Sequence, residues 1–261
     1  MLWAPLKSNM IPTTAIRRGS IGICFAKHYA TIPGVLQWLD DEDRLRLPSS
    51  PIPSPNDLLT STKLKNAETL LHQKLEEFRS VMNYGRGIAS PQVNEHYRLV
   101  ALNLGGDPAK YQALNDNSQG FQGGTSKTSF SLFNPVITKH SNETFTMWDD
   151  CMSFPHLMVR VRRNTKVSIR FWTVVQQDDM QEGRVVLASD NEGNAVVEIE
   201  WCNVPQDISE LLQHEIDHLD GVLSMDRIAS DPSTDIIDRN EYLENSFKFD
   251  QMVEYTIAPT I

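Results

Sequence analysis

The chain is poor in cysteine, in basic charge and in long apolar runs, and each shortage removes a class of protein. Its three cysteines, Cys24, Cys151 and Cys202, in 261 residues are too few and too scattered for a disulfide framework. They point to a reducing compartment, or to a thiol kept for a metal. Lysine and arginine total 24 against 34 aspartates and glutamates, a formal net charge of -10, so direct nucleic-acid binding is not expected. No apolar run approaches the roughly 20 residues of a membrane-spanning helix, and no membrane span is expected. A composition of 40% hydrophobic and 22% charged residues suits one sizeable globular domain with appendages.

Acidic residues are missing altogether from positions 1–39, which carry Lys7, Arg17, Arg18 and Lys27 among hydroxyl-bearing and small residues. That composition reads as an organellar transit segment, mitochondrial in preference to plastid. The alternative is an N-terminal extension whose charge has no meaning. Residues 40–55 include Pro48, Pro51, Pro53 and Pro55 interleaved with serines and read as a Pro/Ser linker. A domain boundary is expected near Asn56, with a catalytic domain over 56–228 and a C-terminal extension over 229–261.

Within that domain, Leu64, Ala67, Leu70, Leu71, Leu75, Phe78, Val81 and Met82 form the stripe of an amphipathic helix that stops at Asn83-Tyr84-Gly85. A glycine-containing loop, Gly85-Arg86-Gly87-Ile88-Ala89-Ser90-Pro91-Gln92, follows. It lacks the Gly-Lys-Ser/Thr ending of a phosphate loop, and taken alone it is more often a structural turn than a site. Strand-like runs cover Tyr97–Leu104, Phe130–Thr138, Thr165–Val175 and Ala195–Trp201, with a Gly/Ser/Asn-rich surface insertion at 105–129. One helix, then strands, then another helix indicates an α+β fold rather than alternating βαβ units.

The second helix carries the clearest chemistry. Gln213-His214-Glu215-Ile216-Asp217-His218 puts two imidazoles four apart on one helical face, where they can share a metal ion. Ile208, Leu211, Leu212, Ile216 and Leu219 make its apolar stripe, and Glu215 falls between that stripe and the histidines. A carboxylate there is partly desolvated, which favours its protonated form and suits acid–base work. Asp217 points largely away. Asp207 is expected to cap the helix, with Glu210 at the third helical position. A site of this kind needs a third ligand. Cys151, in Trp148-Asp149-Asp150-Cys151-Met152-Ser153, is the leading choice, although a lone cysteine is more often a buried hydrophobe. A Cys/His/His set with an open fourth position is a catalytic arrangement.

Together, GRGIASPQ, DDCMS and QHEIDH, in this order, resemble the three motifs of the peptide deformylases. Asn134-Pro135, Val161-x-Arg163 and Met225-Asp226-Arg227 are lesser echoes. The resemblance covers roughly residues 60–228. It implies a peptide-deformylase-like α+β fold with mixed or antiparallel strands around a central metal-binding helix. Cys151, His214 and His218 would hold one divalent ion, Fe(II) or Zn(II). Glu215 would be the general acid/base, and Gln92 with the backbone N–H of Met152 would stabilise the oxyanion. Asp149 and Arg163 would lie behind the ligands, and Arg86, Gly87, Glu210 and Leu211 would border the substrate pocket. The implied reaction removes the N-formyl group from the initiator methionine of nascent peptides and releases formate, with the nascent chains at an organellar ribosome as the implied partners. Two alternatives stand beside it: a catalytically impaired homologue that binds peptide N-termini, and a metallopeptidase of the His-Glu-x-x-His type.

The sequence departs from the family pattern at Asp149 (Glu in the family), Asp150 (Gly), Arg86 (apolar or small) and Glu210 (apolar). Arg86 and Glu210 are expected either to pair across the pocket or to reach solvent separately at its rim.

Overall fold

The computed structural model describes residues 31–105, 129–179 and 185–257. Most of the segment read as a leader, and nearly all of the 105–129 insertion, lie outside the described residues. Helix α1 (Trp38–Leu45) and α2 (Pro55–Thr60) precede the long amphipathic α3 (Thr62–Met82). The Ser61 hydroxyl accepts from Leu64 N–H to cap α3, and Asn83 ends it in the left-handed region at φ 58°.

Among the described residues nine strands follow the sequence β1 (Gly87–Ala89), β2 (Leu99–Asn103), β3 (Ser129–His140), β4 (Thr144–Asp149), β5 (Leu157–Asn164), β6 (Val167–Gln176), β7 (Val186–Ser189), β8 (Asn194–Trp201) and β9 (Ile236–Asp238). They make a six-stranded antiparallel sheet ordered β1-β2-β3-β6-β8-β7 and a three-stranded antiparallel sheet ordered β4-β5-β9. The fold is α+β, as the order of elements indicates.

Strand periodicity sends alternate residues to opposite faces of the large sheet. Val100 and Leu102 meet Ile208, Leu211, Leu212 and Ile216 of α4 (Gln206–Leu219), with Phe171 and Ile199 beside them. Leu99 and Ala101 point the other way, into the stripe Leu64, Ala67, Leu71, Leu75 and Phe78 of α3. The small sheet has its own apolar layer, which includes Met147, Val159 and Val161 and reaches Cys151. Helix α4 is buried from Ile208 to Leu219, so its polar residues must find partners inside the protein.

Two expectations about the chain's beginning need correction. The Pro/Ser stretch is not a free linker: Ser50 N–H donates to His96 O (2.9 Å), Arg98 N–H donates to Ser50 O (2.9 Å), and Asn134 clasps both backbone groups of Ile52. Prolines bar a helix, yet they leave extended backbone that can pair, and local composition cannot tell these cases apart. The leader boundary at 39 also falls inside packed structure, because Ile32, Val35, Leu36, Trp38 and Leu45 are all buried. Leu36 N–H donates to Gln92 O (2.7 Å), Trp38 N–H to Ser153 O (2.9 Å), and Gln37 Nε2 to Met152 O (3.2 Å).

A third correction concerns the start of α4. Pro205 is its N-cap, its carbonyl accepting from Ile208 and Ser209, and no side chain caps it. Asp207 sits within the first turn, and Glu210 is engaged elsewhere.

After α4 the chain turns back through α5 (Pro232–Asp235), β9, α6 (Arg239–Glu244) and α7 (Ser246–Asp250). Trp148 Nε1 donates to Phe249 O (2.9 Å), and Thr146 O accepts from the N–H groups of Glu254 and Tyr255 (3.1 Å each). Among the described residues no helix is long and apolar enough to cross a membrane.

Candidate active site

Helix α4 presents His214 and His218 on one face, and the turn after β4 brings Cys151 against them. Their ligand atoms all lie within 4.8 Å of one another. Cys151 Sγ is 3.3 Å from His218 Nε2, which is 3.2 Å from His214 Nε2. His214 Nδ1 lies 3.0 Å from Asp149 Oδ2, a partner that assigns the proton to Nδ1 and leaves Nε2 with its lone pair turned inward. Burial pushes the Cys151 thiol up and, with neighbouring His214, pushes the His218 imidazole down to about 3. Two nitrogens and one sulfur thus converge in a buried space, and a borderline-soft divalent cation fits that donor set.

The support behind the ligands is dense. Asp149 Oδ2 accepts from Arg163 (2.9 Å) and Ser224 Oγ (3.0 Å) as well as facing His214. Burial alone would raise this carboxyl, but His214 and Arg163 hold it well below the usual carboxylate range. Arg163 also donates to Asp217, whose carboxylate is shared with Arg227. His218 Nδ1, in contrast, is buried with no hydrogen-bond partner among the described residues.

Glu215 is buried beside this centre, and its Oε2 has no partner among the described residues. Burial pushes its carboxyl up to about 7, with His214 and Arg86 pulling the other way and Asp149 and Glu210 adding to the rise. Its neighbour across the gap is β1. A Cβ built at Gly87 would come within 2.5 Å of Glu215 Oε1, so a side chain at Gly87 would collide with the carboxylate. Gln92 stands on the same loop. Its Oε1 accepts from Ala89 N–H (2.9 Å), which aims Nε2 at Cys151 Sγ (3.4 Å) and Ser153 Oγ (3.2 Å).

A cleft of about 340 Å³ opens over these groups and includes Gly87, Gln92, Met152, Leu211, His214 and Glu215 in its lining.

A sequence profile described as polypeptide deformylase matches residues 37–233. The chain belongs to that family. Among relatives named peptide deformylase, one from Orientia tsutsugamushi (strain Boryong) is 25% identical over 188 residues, 71% of this chain and 82% of that one. Peptide deformylase 2 of Nostoc sp. is 29% identical over 160 residues, 61% and 70% of the two chains. The crystal structure of a class I type b peptide deformylase from Acinetobacter baumannii, bound to Met-Ala-Ser, aligns with a TM-score of 0.50 at 24% identity. It covers 77% of this chain and 100% of that one. That likeness is one of fold.

Three of the four departures from the deformylase pattern, Arg86, Asp150 and Glu210, come together on one wall of the cleft. Arg86 pairs with Glu210 and donates to Asp207 O (2.8 Å). Both side chains are nearly buried, at 10% and 3% exposure, so the pairing expectation describes them and the solvent-rim one does not. Asp150 pairs with Arg239 (2.8 Å), whose guanidinium lies 4.0 Å from the centre of the Tyr84 ring. Arg239 belongs to the C-terminal segment, which also lines the cleft with Tyr242, Val253, Tyr255 and Ile257. The C-terminal extension therefore forms part of the cleft wall. The one sequence signal was faint: Arg239 and Lys248 are the only cations between Ile228 and Ile257.

Proposed function

We propose that this protein hydrolyses the N-formyl group of peptides that begin with formyl-methionine, releasing formate, with Cys151, His214 and His218 holding a divalent cation. The observation that carries this reading is one cleft in which three converging ligand atoms, a buried carboxylate whose Oε2 has no partner among the described residues, and an aimed side-chain amide meet. Bound there, the cation would supply Lewis acidity, polarising the formyl carbonyl and making a water acidic enough to attack.

The chain's own groups do the rest. Glu215, held in a low-dielectric pocket, takes a proton from the attacking water and returns it to the departing amine. Gln92 Nε2 donates to the oxygen that becomes negative as the carbonyl carbon turns tetrahedral, and the Met152 N–H is assigned to the same task. Asp149 fixes the tautomer and the orientation of His214, and Arg163 holds Asp149 in turn. Such support behind a ligand is a feature of working metal sites, and it favours an enzyme over a peptide-binding remnant. A thiolate from the turn after β4 as third ligand favours this reading over a metallopeptidase.

The donor set suits ferrous iron and zinc alike, and metal analysis of anaerobically purified protein decides between them. The leader-like composition of positions 1–39 supports a mitochondrial location, where formylated nascent chains would be the partners. A fluorescent fusion to that segment tests it. The decisive assay is formate release from formyl-Met-Ala-Ser by metal-loaded protein beside Glu215→Ala. Absence of formate from stoichiometrically loaded protein would overturn the reading.

A further inference from the structure

Glu210, Arg86, Asp150 and Arg239 alternate in sign across the cleft wall. Glu210 contacts Arg86, Asp150 contacts Arg239, and the Asp150 charge also acts on Arg86 across the gap between the two pairs. The four come from α4, the loop before β1, the turn after β4 and the C-terminal segment. None is a ligand, and the proposed hydrolysis uses none of them.

Their position relative to the reacting centre follows from helix geometry. Glu210 stands four residues before His214, a rise of about 6 Å along α4, and side chains lean toward a helix N-terminus. Gly87 and Glu215 lie against each other in the cleft lining. Arg86, Asp150, Glu210 and Arg239 line the same cleft as Gln92, His214 and Glu215, so a peptide seated on the reacting groups lies beside this wall.

We propose that these four charges floor the subsite for the substrate's first side chain, and that this subsite accepts a neutral carboxamide side chain such as glutamine about as well as methionine, or better. The inference rests on the proposed deformylation and sharpens its substrate class. A thioether laid over a buried ion pair would strip water from the pair and return no hydrogen bond. A carboxamide offers a donor to Glu210 or Asp150 and an acceptor to Arg86 or Arg239. A charged side chain would be desolvated against a wall with no net charge and would gain little in return. Arg239 makes the C-terminal segment part of the subsite, so recognition in this chain draws on residues beyond the three motifs.

The test compares formyl-Met-Ala-Ser with formyl-Gln-Ala-Ser on the full chain. It uses turnover by metal-loaded protein and calorimetric binding to Glu215→Ala protein. The expected methionine-to-glutamine ratio is below tenfold in both. In the double variant Arg86→Leu/Glu210→Leu, the ratio is expected to rise at least tenfold in favour of methionine. A preference for methionine above tenfold in the unaltered pocket overturns the inference. So does binding of neither peptide, or an unchanged ratio in a folded double variant. The ratio in the unaltered pocket decides by itself if that variant does not fold. Glutamine-tolerant binding without formate from either peptide would sink the hydrolytic reading and leave the subsite standing. Formate production with strong methionine preference would do the reverse.

Discussion

Around Cys151, His214 and His218, every buried supporting charge has at least two partners among the described residues. Asp149 holds Arg163, Ser224 and His214, Arg163 holds two carboxylates, and Asp217 holds two arginines. Along the wall facing them, Glu210 and Asp150 each have one cationic partner, and their partners arrive on a loop and on the C-terminal segment. The supporting network is drawn mostly from β4, β5 and α4, elements that cannot shift without disturbing the core. The wall is assembled from four separate segments. A reacting centre needs its atoms held to a fraction of an ångström. A recognition surface, as proposed for this wall, can be re-lined one residue at a time while the chemistry beside it stays intact, and Arg86, Asp150 and Glu210 are the departures from the family pattern that it carries.

The comparison is broken most severely at Glu215. Glu215→Ala should lower kcat by about 10²–10⁴-fold while bound metal stays stoichiometric, read by formate release and metal analysis on one preparation. Loss of metal together with activity would show that the carboxylate belongs to the ligand support instead. Next, Arg163→Met would strand the buried Asp149 and Asp217 carboxylates and should cost about 3–5 kcal/mol of stability, measured by denaturant unfolding. A cost within about 1 kcal/mol would mean that the network relaxes as freely as a surface pair. Asp149→Asn should weaken metal affinity by roughly 10–100-fold through His214, read by chelator competition, with little change in fold.

On the wall, Arg239→Met should cost only about 1 kcal/mol, because the pair with Asp150 is partly solvated at 15% and 25% exposure. Its clearer sign should be faster proteolysis within the segment 239–257. The smallest effect concerns the seat of that segment. Burial works against the Asp235 carboxylate, but the Ser230 N–H, Arg160 and the Asp231 N–H hold its pKa below the ordinary 3.8. Asp235 therefore stabilises the fold in full above roughly pH 4 and loses that contribution as pH falls through its lowered value. In acid titrations followed by tryptophan fluorescence, Asp235→Asn should flatten that part of the stability profile. An unchanged acid limb would place the sensitivity elsewhere.

What could be read from the residues alone follows from how local each feature is. The facing of His214 and His218, the place of Glu215 beside the apolar stripe and the nearness of Glu210 to the ligands all come from helix spacing within eleven residues. The stripe of α3 and its end at Asn83 are equally local. Cys151 and Gln92 entered through the resemblance to known motifs, since no spacing rule connects them to α4. The strap at Ser50–Ile52 and the return of the C-terminal segment were not legible. Their partners lie far away in sequence, as with Ile52 and Asn134 or Trp148 and Phe249. Strands β4 and β5 were missed for a related reason. Both are apolar enough for a core, but the arginines in β5, two of which turn inward to carboxylates, blur the alternation that marks a strand.

Leu36, Gln37 and Trp38 bridge the two loops that carry Gln92 and Met152, and this sets a condition on maturation. If a leader is removed from this chain, the protease must cut upstream of Leu36. A cut at Asn56, where composition suggests the domain begins, would release the clamp on the loops of Gln92 and Met152 and leave Cys151, His214 and His218 in place. A chain trimmed too far could still bind its ion yet lose the means to stabilise the reaction it is built for.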